Sequence, residues 1–214
     1  AFISGGKEYG VIIAPKHLAF NDTEINRTGV SVFMTEQQAR ENELRGTQAA
    51  IEDAGALGVM TAFNRVGITA ANAHTGLLKN ILRGEWGFKG LESQDFIMNP
   101  NYAVLKEYAL NGGTMTTFTG ENTMAAVSEK FAYWTTENVG QDTELMSAIK
   151  QAMTWQAYAL ANSNALDGMA SSTRLVSVRT WYDNALVAVQ VVFAALTVLA
   201  AAMYVLNDRK SKKQ

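Results

Sequence analysis

The chain has 214 residues, 48% of them hydrophobic, and a formal net charge of −2. That is enough for one domain with a real core, and too apolar for a disordered chain. No basic stripe interleaved with aromatic residues runs through it, so nucleic acid is excluded as an expected partner, and zero cysteines exclude a disulfide framework and any thiolate metal site.

Taken in order, residues 1–10 carry no signal-peptide pattern and read as a glycine-containing loop feeding a strand, VIIAP at 11–15. The chain starts at Ala1 without a methionine and is expected to be a fragment of a longer protein. KHLAFNDTEINR follows at 16–27, and TEQQARENELRGTQAAIEDAG at 35–55 reads as a helix with Thr35 as N-cap and acidic residues in its first turns. LGVMTAF at 57–63 reads as a strand, His74 as an exposed residue, and TGLLKNILRGEW at 75–86 as the helix it precedes. LESQDF at 91–96 and GTMTTF at 113–118 read as strands. The helix between them, 100–112, has a proline at its start and Asn111-Gly112 at its end. Helices are expected at 121–134 and 143–163.

Short apolar runs alternating with longer amphipathic ones are the pattern of βα units. Four such units make about half of an eightfold barrel, which needs roughly 250 residues. The expected fold class is α/β: the C-terminal half of a (β/α)8 TIM-like barrel, followed by helices and a single transmembrane helix. The expected divisions are a half-barrel at 1–120, a helical extension at 121–170, a linker at 171–184, a transmembrane helix at 185–206 and a basic tail at 207–214.

Residues 185–206, ALVAVQVVFAALTVLAAAMYVL, are interrupted only by Gln190 and Thr197. Twenty-two residues at ~1.5 Å each span a hydrocarbon core of ~30 Å. Trp181 and Tyr182 stand at one edge and Tyr204 near the other, where interfacial aromatics are favoured. The tail NDRKSKKQ holds Arg209, Lys210, Lys212 and Lys213 against Asp208, leaving −5 on the rest of the chain. A lipid bilayer is therefore an expected partner, with the tail in the cytoplasm and the preceding part extracellular. The competing reading is a buried helix of a soluble protein, which an apolar stretch without a polar face makes hard to accommodate.

One stretch breaks the pattern: the strand 91–96 carries Glu92, Ser93, Gln94 and Asp95 where apolar side chains are expected. By position alone, Asp95 is a cap for the following turn, with Asn99-Pro100 opening the next helix, or an acidic group at the mouth of a barrel. Glu92 faces solvent, pairs with Lys89, or enters the site.

Four motifs in register carry a resemblance. Lys16-His17 in KHLAFNDTEINR, Arg40-Glu41 in QARENELRG, VMTAFNRVG at 59–67, and LLKNILRGEWGFKG running into Gln94-Asp95 resemble the glycoside hydrolase family 3 β-glucosidases in order and spacing. The resemblance covers about residues 7–118. It implies a retaining glycosidase acting on a β-linked oligosaccharide or glycoside, with Asp95 as nucleophile and a covalent glycosyl-aspartate intermediate. It also implies substrate-binding roles for Lys16 and His17, and a place beside the nucleophile for Phe63, where many relatives carry a tyrosine. No cofactor is required for that chemistry, and two histidines without an acidic cluster give no metal site.

Read without the resemblance, Lys16 is a surface lysine and His17 caps a strand. Arg40 and Glu41 are either an active-site support pair or, being on a helix, a structural salt-bridge network; Asn64, Arg65 and Arg27 are open between the same two roles, and none is assigned to catalysis. Against the family pattern, Glu92 and Ser93 replace β-branched residues, and GGTMTTFTG lacks an aspartate common at that place. These departures leave a second reading, a non-catalytic membrane-tethered carbohydrate-binding or scaffold protein. The family's acid/base residue comes from an α/β sandwich domain, for which 97–183 leave no room. A missing N-terminal part holding that domain is therefore an expected partner, and the chain alone is expected to be inactive.

Overall fold

The structure is a computed structural model that describes residues 1–27, 30–96, 104–117, 134–167, 173–174 and 176–211. It divides into two compact units, Ala1–Gly168 and Met169–Gln214.

The first unit opens with a helix, α1 (Phe2–Glu8), where a loop was expected. Gly5 and Gly6 suggest a loop by propensity, but Gly6 lies against Ile13 so tightly that a Cβ there would collide with the Ile13 side chain. The glycine is used for close packing, and packing overrides its weak helix preference. VIIAP is not a strand either. Strand β1 is Lys16–Leu18, and Ile12 and Ala14 instead press against Gly58 as the chain approaches the sheet.

The helix expected at 35–55 forms as α2, from Glu36–Gln38 through Ala39–Glu43 to Leu44–Glu52, with a wider turn in its middle where the Leu44 N–H donates to the Ala39 carbonyl. Thr35 is its N-cap in a reciprocal pair with Gln38: the Gln38 N–H donates to Thr35 Oγ1 and the Thr35 N–H to Gln38 Oε1, both at 3.2 Å. Strand β3 (Gly58–Thr61) follows, and α3 (Gly76–Glu85) leads to β6 (Leu91–Gln94). Between β1 and α3 lie the short strands β2 (Ser31–Val32), β4 (Arg65–Val66) and β5 (Thr69–Ala70). After β6 come α4 (Leu105–Leu110), α5 (Thr136–Gln141) and α6 (Thr143–Ala161), the last capped by Asp142. Residues 121–133 of the helix expected at 121–134, and the Pro100 start of the preceding one, lie outside the described residues.

The main sheet has the order β1-β3-β6 and all its pairs are parallel. The strand expected at 113–118 is reduced in its described part to one bridge, Ser93 with Met115. A small second sheet, β2-β4-β5, was not anticipated, because two-residue strands leave no periodicity to read. On the helix side of the main sheet, Val59 packs with Leu77, Leu78, Leu82 and Tyr108. Glu92 is the neighbour of Val59 across β3 and β6, so it shares that face and is fully buried. It neither faces solvent nor reaches the site of Asp95, which by alternation points to the opposite face.

Two arginines tie elements of this unit together. Arg40 forms a two-pronged pair with Glu85 at 2.7 and 2.9 Å and a third contact with Glu36 at 2.8 Å, joining α2 to the end of α3 as a surface network. Arg83 is largely buried and donates four hydrogen bonds to three carbonyls: Phe88 O and Gly90 O at 2.9 Å, and Gly112 O at 3.1 and 2.7 Å. Its guanidinium also stacks on Trp155, 3.9 Å from the ring centre, and on Phe88 at 4.9 Å. Burial pulls its pKa down to about 10.

The second unit contains one long helix, α7 (Trp181–Ser211). It starts inside the expected linker, since the Thr180 N–H and hydroxyl donate to Asp183 at 2.7 and 2.6 Å and fix the first turn. Its stretch Trp181–Leu206 is 26 residues long, ~39 Å at 1.5 Å per residue, and is apolar enough to cross a bilayer.

Replacing Arg83 by lysine keeps the charge but loses the planar fork, so at least two of three carbonyls go without their donor. The variant is expected to lose about 3 kcal/mol or more of stability in denaturant titration. A loss below about 1 kcal/mol would show that the clamp is dispensable.

Candidate active site

Three parallel strands that neighbour each other end at one level: Leu18 pairs with Thr61, and Thr61 with Gln94. The residues that follow are thereby gathered at the carboxyl edge of the sheet, where parallel α/β folds place their chemistry. Asp95 is the first residue past β6. Its N–H donates to Thr61 O at 3.1 Å, and its Oδ1 accepts from the Phe96 N–H at 2.8 Å. Oδ2 is left to face His17 Nε2 at 3.5 Å and an Arg27 terminal nitrogen at 3.3 Å. Asp95 is thus held by its backbone and one oxygen, while the other oxygen meets two nitrogen donors.

The loop 19–27 builds this cluster. Phe20 and Asn26 adopt left-handed backbone, with φ of 67° and 55°. For non-glycine residues such conformations cost of order 1–3 kcal/mol each, and they gather where surrounding structure over-determines them. Here they fold His17, Asn21, Glu24 and Arg27 onto one another. The Asn21 amide nitrogen donates to Glu24 Oε1 at 3.1 Å and lies 3.4 Å from His17 Nδ1. A carboxylate only accepts, so Glu24 fixes which end of the Asn21 amide carries the nitrogen. That nitrogen donates to Nδ1, which leaves the proton of a neutral His17 on Nε2, toward Asp95. Burial lowers the pKa of His17, and the Lys16 and Arg27 charges add to this while Asp95 opposes it.

Glu24 also takes Arg27 at 3.1 Å, so Arg27 bridges the carboxylates of Glu24 and Asp95. The Arg27 guanidinium carbon lies 5.1 Å from the centre of the Phe63 ring. The buried Phe63 therefore supports Arg27 through its face, a contact its missing hydroxyl does not affect. Lys16 is exposed, and the ion pairs of Asp95 are with His17 and Arg27, not with Lys16. The structure thus brings His17, Asp95 and Phe63 into one cluster and sets Lys16 at its rim, where its charge is felt by His17. Sequence reasoning left Arg27 open between an active-site and a structural role and passed over Asn21 and Glu24. Their common membership of the KHLAFNDTEINR segment was the one available signal, and the loop conformation supplies the rest.

His74 is half-buried rather than exposed, and its Nδ1 accepts from the Leu77 N–H at 3.1 Å at the start of α3. Among the described residues no group of three His, Asp or Glu side chains could hold a metal ion. A cavity of about 480 Å³ between β2, β4 and helices α2 and α3 is lined by Phe20, Phe33, Leu44, Leu77 and Arg40 among others. Neither Asp95 nor His17, Arg27 or Phe63 lines it.

The sequence profile described as "Glycosyl hydrolase family 3 N terminal domain" matches residues 1–107, half of the chain. The chain belongs to glycosyl hydrolase family 3. Among curated relatives it is similar to "Probable beta-glucosidase J" of Emericella nidulans, 40% identical over 96 residues, covering 45% of this chain and 11% of that protein. It is likewise similar to "Beta-glucosidase B" of the same organism, 41% identical over 95 residues, 44% of this chain and 11% of that one. The chain thus spans about a ninth of the length of these family 3 relatives. In fold it resembles β-glucosidase 3B from Thermotoga neapolitana, with a TM-score of 0.64 over 77% of this chain and 23% of that one at 24% identity. A family 3 β-glucosidase from Bifidobacterium adolescentis gives 0.63 over 81% and 24% at 17% identity.

The placement of Asp95 beside His17 makes a direct prediction. Asp95→Asn removes the negative charge that raises the imidazole pKa, so the His17 pKa should fall further below its ordinary value in an NMR titration. An unchanged titration would show that the two side chains do not interact.

Proposed function

We propose that this chain supplies the nucleophile of a membrane-anchored retaining glycoside hydrolase acting on β-glucosides or related O-glycosyl compounds. The observation that carries the reading is Asp95 at the carboxyl end of β6, with Oδ2 turned to His17 and Arg27, in a chain of family 3. In this reading the three parallel strands belong to the C-terminal half of a (β/α)8 barrel, and the sugar binds over their carboxyl ends.

The chemistry follows from the geometry. Asp95 Oδ2 attacks the anomeric carbon, the bond to the leaving oxygen breaks, and a glycosyl-aspartate forms; water then releases the sugar and regenerates the carboxylate. Arg27 holds and aims the attacking oxygen, and neutral His17 offers an Nε2–H to the nucleophile or to a sugar hydroxyl. Retention needs a second carboxyl about 5 to 5.5 Å away to protonate the leaving group. Glu24 shares Arg27 with Asp95, yet it accepts from both Asn21 and Arg27 and so serves as their brace. The proton donor is assigned instead to an α/β sandwich domain in the missing N-terminal part, which makes this chain inactive by itself.

A non-catalytic sugar-binding role is the second reading. Phe63 favours it, because its ring offers Asp95 no hydroxyl. Covalent labelling of the full-length protein with a 2-fluoro glycoside separates the two. The hydrolase reading expects the sugar on the Asp95 peptide by mass spectrometry and no adduct in Asp95→Asn. Absence of any adduct with gluco- and xylo-configured probes would leave the binding reading.

We propose further that Ala185–Leu206 spans a bilayer, with the basic tail cytoplasmic and the family 3 portion outside the cell. Its length and composition support this. Membranes carrying the protein should retain it through alkaline carbonate extraction, and a variant without 185–206 should be released; release of both would refute the anchor.

A further inference from the structure

Glu92 is fully buried between the main sheet and helices α3 and α4, and neither carboxyl oxygen has a hydrogen-bond partner among the described residues. The groups that face it are Thr61 of β3, Arg83 of α3, Tyr108 of α4 and Thr114. All four have other commitments. Arg83 is held by the carbonyls of Phe88, Gly90 and Gly112. The Tyr108 hydroxyl donates to Met115 O at 2.8 Å, and Thr61 Oγ1 lies 3.4 Å from Ser93 O. Thr114 Oγ1 donates to the Glu92 carbonyl. The hydroxyls of Thr61 and Tyr108 stand close enough to favour the ion in part, but neither makes a hydrogen bond to a carboxyl oxygen.

The backbone around Glu92 is as tightly tied as its carboxyl is loose. Its carbonyl accepts from the N–H groups of Thr114 and Met115 at 3.2 and 3.0 Å, and its own N–H donates to Thr114 Oγ1 at 2.8 Å. One residue further along that face, Gln94 accepts from Asn72 at 2.6 Å, which leaves Asn72 Oδ1 and Gln94 Nε2 without partners. The strand that delivers Asp95 thus rests on a polar layer whose only ionisable carboxyl among the described residues is Glu92.

We propose that Glu92 is a proton-operated latch on β6: neutral, it lets the helix layer close under the strand that carries Asp95, and ionised, it loosens β6 and the 113–115 segment bonded to it. An uncompensated charge in a buried layer is costly, and a carboxylic acid avoids that cost while gaining a donor for a neighbouring carbonyl. Burial is the main cause of a pKa pushed up to about 7, with Tyr108, Thr61 and Arg83 pulling the other way. In the unfolded chain the group titrates at its ordinary 4.5, so between these values the folded state keeps a proton that the unfolded state has lost. Stability from this group therefore falls as pH rises from about 4.5 to about 7, by up to about tenfold in the folding constant per pH unit, and is constant above. His17 and His74, both lowered by burial, act with the opposite sign below about 6.5, so the comparison must keep them in place.

The test is thermal unfolding and amide exchange of the full chain in detergent at about pH 5 and about pH 8, in wild type and in Glu92→Gln. The expected result is that the wild type loses Tm and the protection of 91–95 and 113–115 at the higher pH relative to the variant, which lacks that component. Identical pH profiles for the two proteins overturn the proposal. Should Glu92→Gln fail to fold, infrared difference spectra of the wild type decide. A protonated carboxylic-acid carbonyl band persisting at about pH 6 and lost by about pH 8 supports the latch, and absence of that band at the lower pH refutes it.

Discussion

Arg83 is the constraint on which the first unit turns. Five chain segments converge on one guanidinium: α3, which carries it, the turn at Phe88, the start of β6 at Gly90, the Gly112 turn and the Trp155 ring. A planar fork with fixed donor directions can satisfy carbonyls from several segments at once, which a flexible ammonium does not do. Gly90 shows how close the fit is, since a Cβ there would collide with the Leu57 carbonyl. The start of β6 is thereby set, and with it the position of Asp95 five residues on.

From that starting point the strand does two jobs by alternation. Its Glu92 and Gln94 side chains enter the layer beneath the helices, while Asp95 turns to the other face and meets the loop after β1. The polar residues that look like one acidic patch in the sequence are therefore separated by the sheet itself. The loop that completes the site is held in an unfavourable backbone at Phe20 and Asn26, and the ion-pair chain Glu24–Arg27–Asp95 with the Phe63 face is what stabilises it there.

Much of the framework was legible. The Thr35 cap, the apolar period of 35–55 and the Asn111-Gly112 stop are local signals, and each forms as read. Local signals also misled. Gly6 of α1 is a packing residue, VIIAP runs alongside Gly58 without pairing, and of the expected strand at 113–118 one bridge forms in the described part. In each case the deciding contact comes from a segment distant in sequence, which periodicity does not contain. The site was half visible: Asp95 and His17 stand together, whereas Arg27 showed no pattern that distinguished it from a surface arginine.

By itself, the sequence determined the Thr35 cap of α2 and the Asn111-Gly112 stop of α4, that the last long helix is apolar on all sides, and that an acidic residue closes the strand after GFKG. Caps, turns and hydrophobic period act over a few residues, so they can be read from neighbours along the chain. Only the tertiary structure decided that Glu92 is buried and away from the site, that Arg83 is a clamp, and that Arg27 rather than Lys16 reaches the carboxylate of Asp95. Strand register and loop conformation settle those matters, and both depend on contacts between residues that are close only after folding.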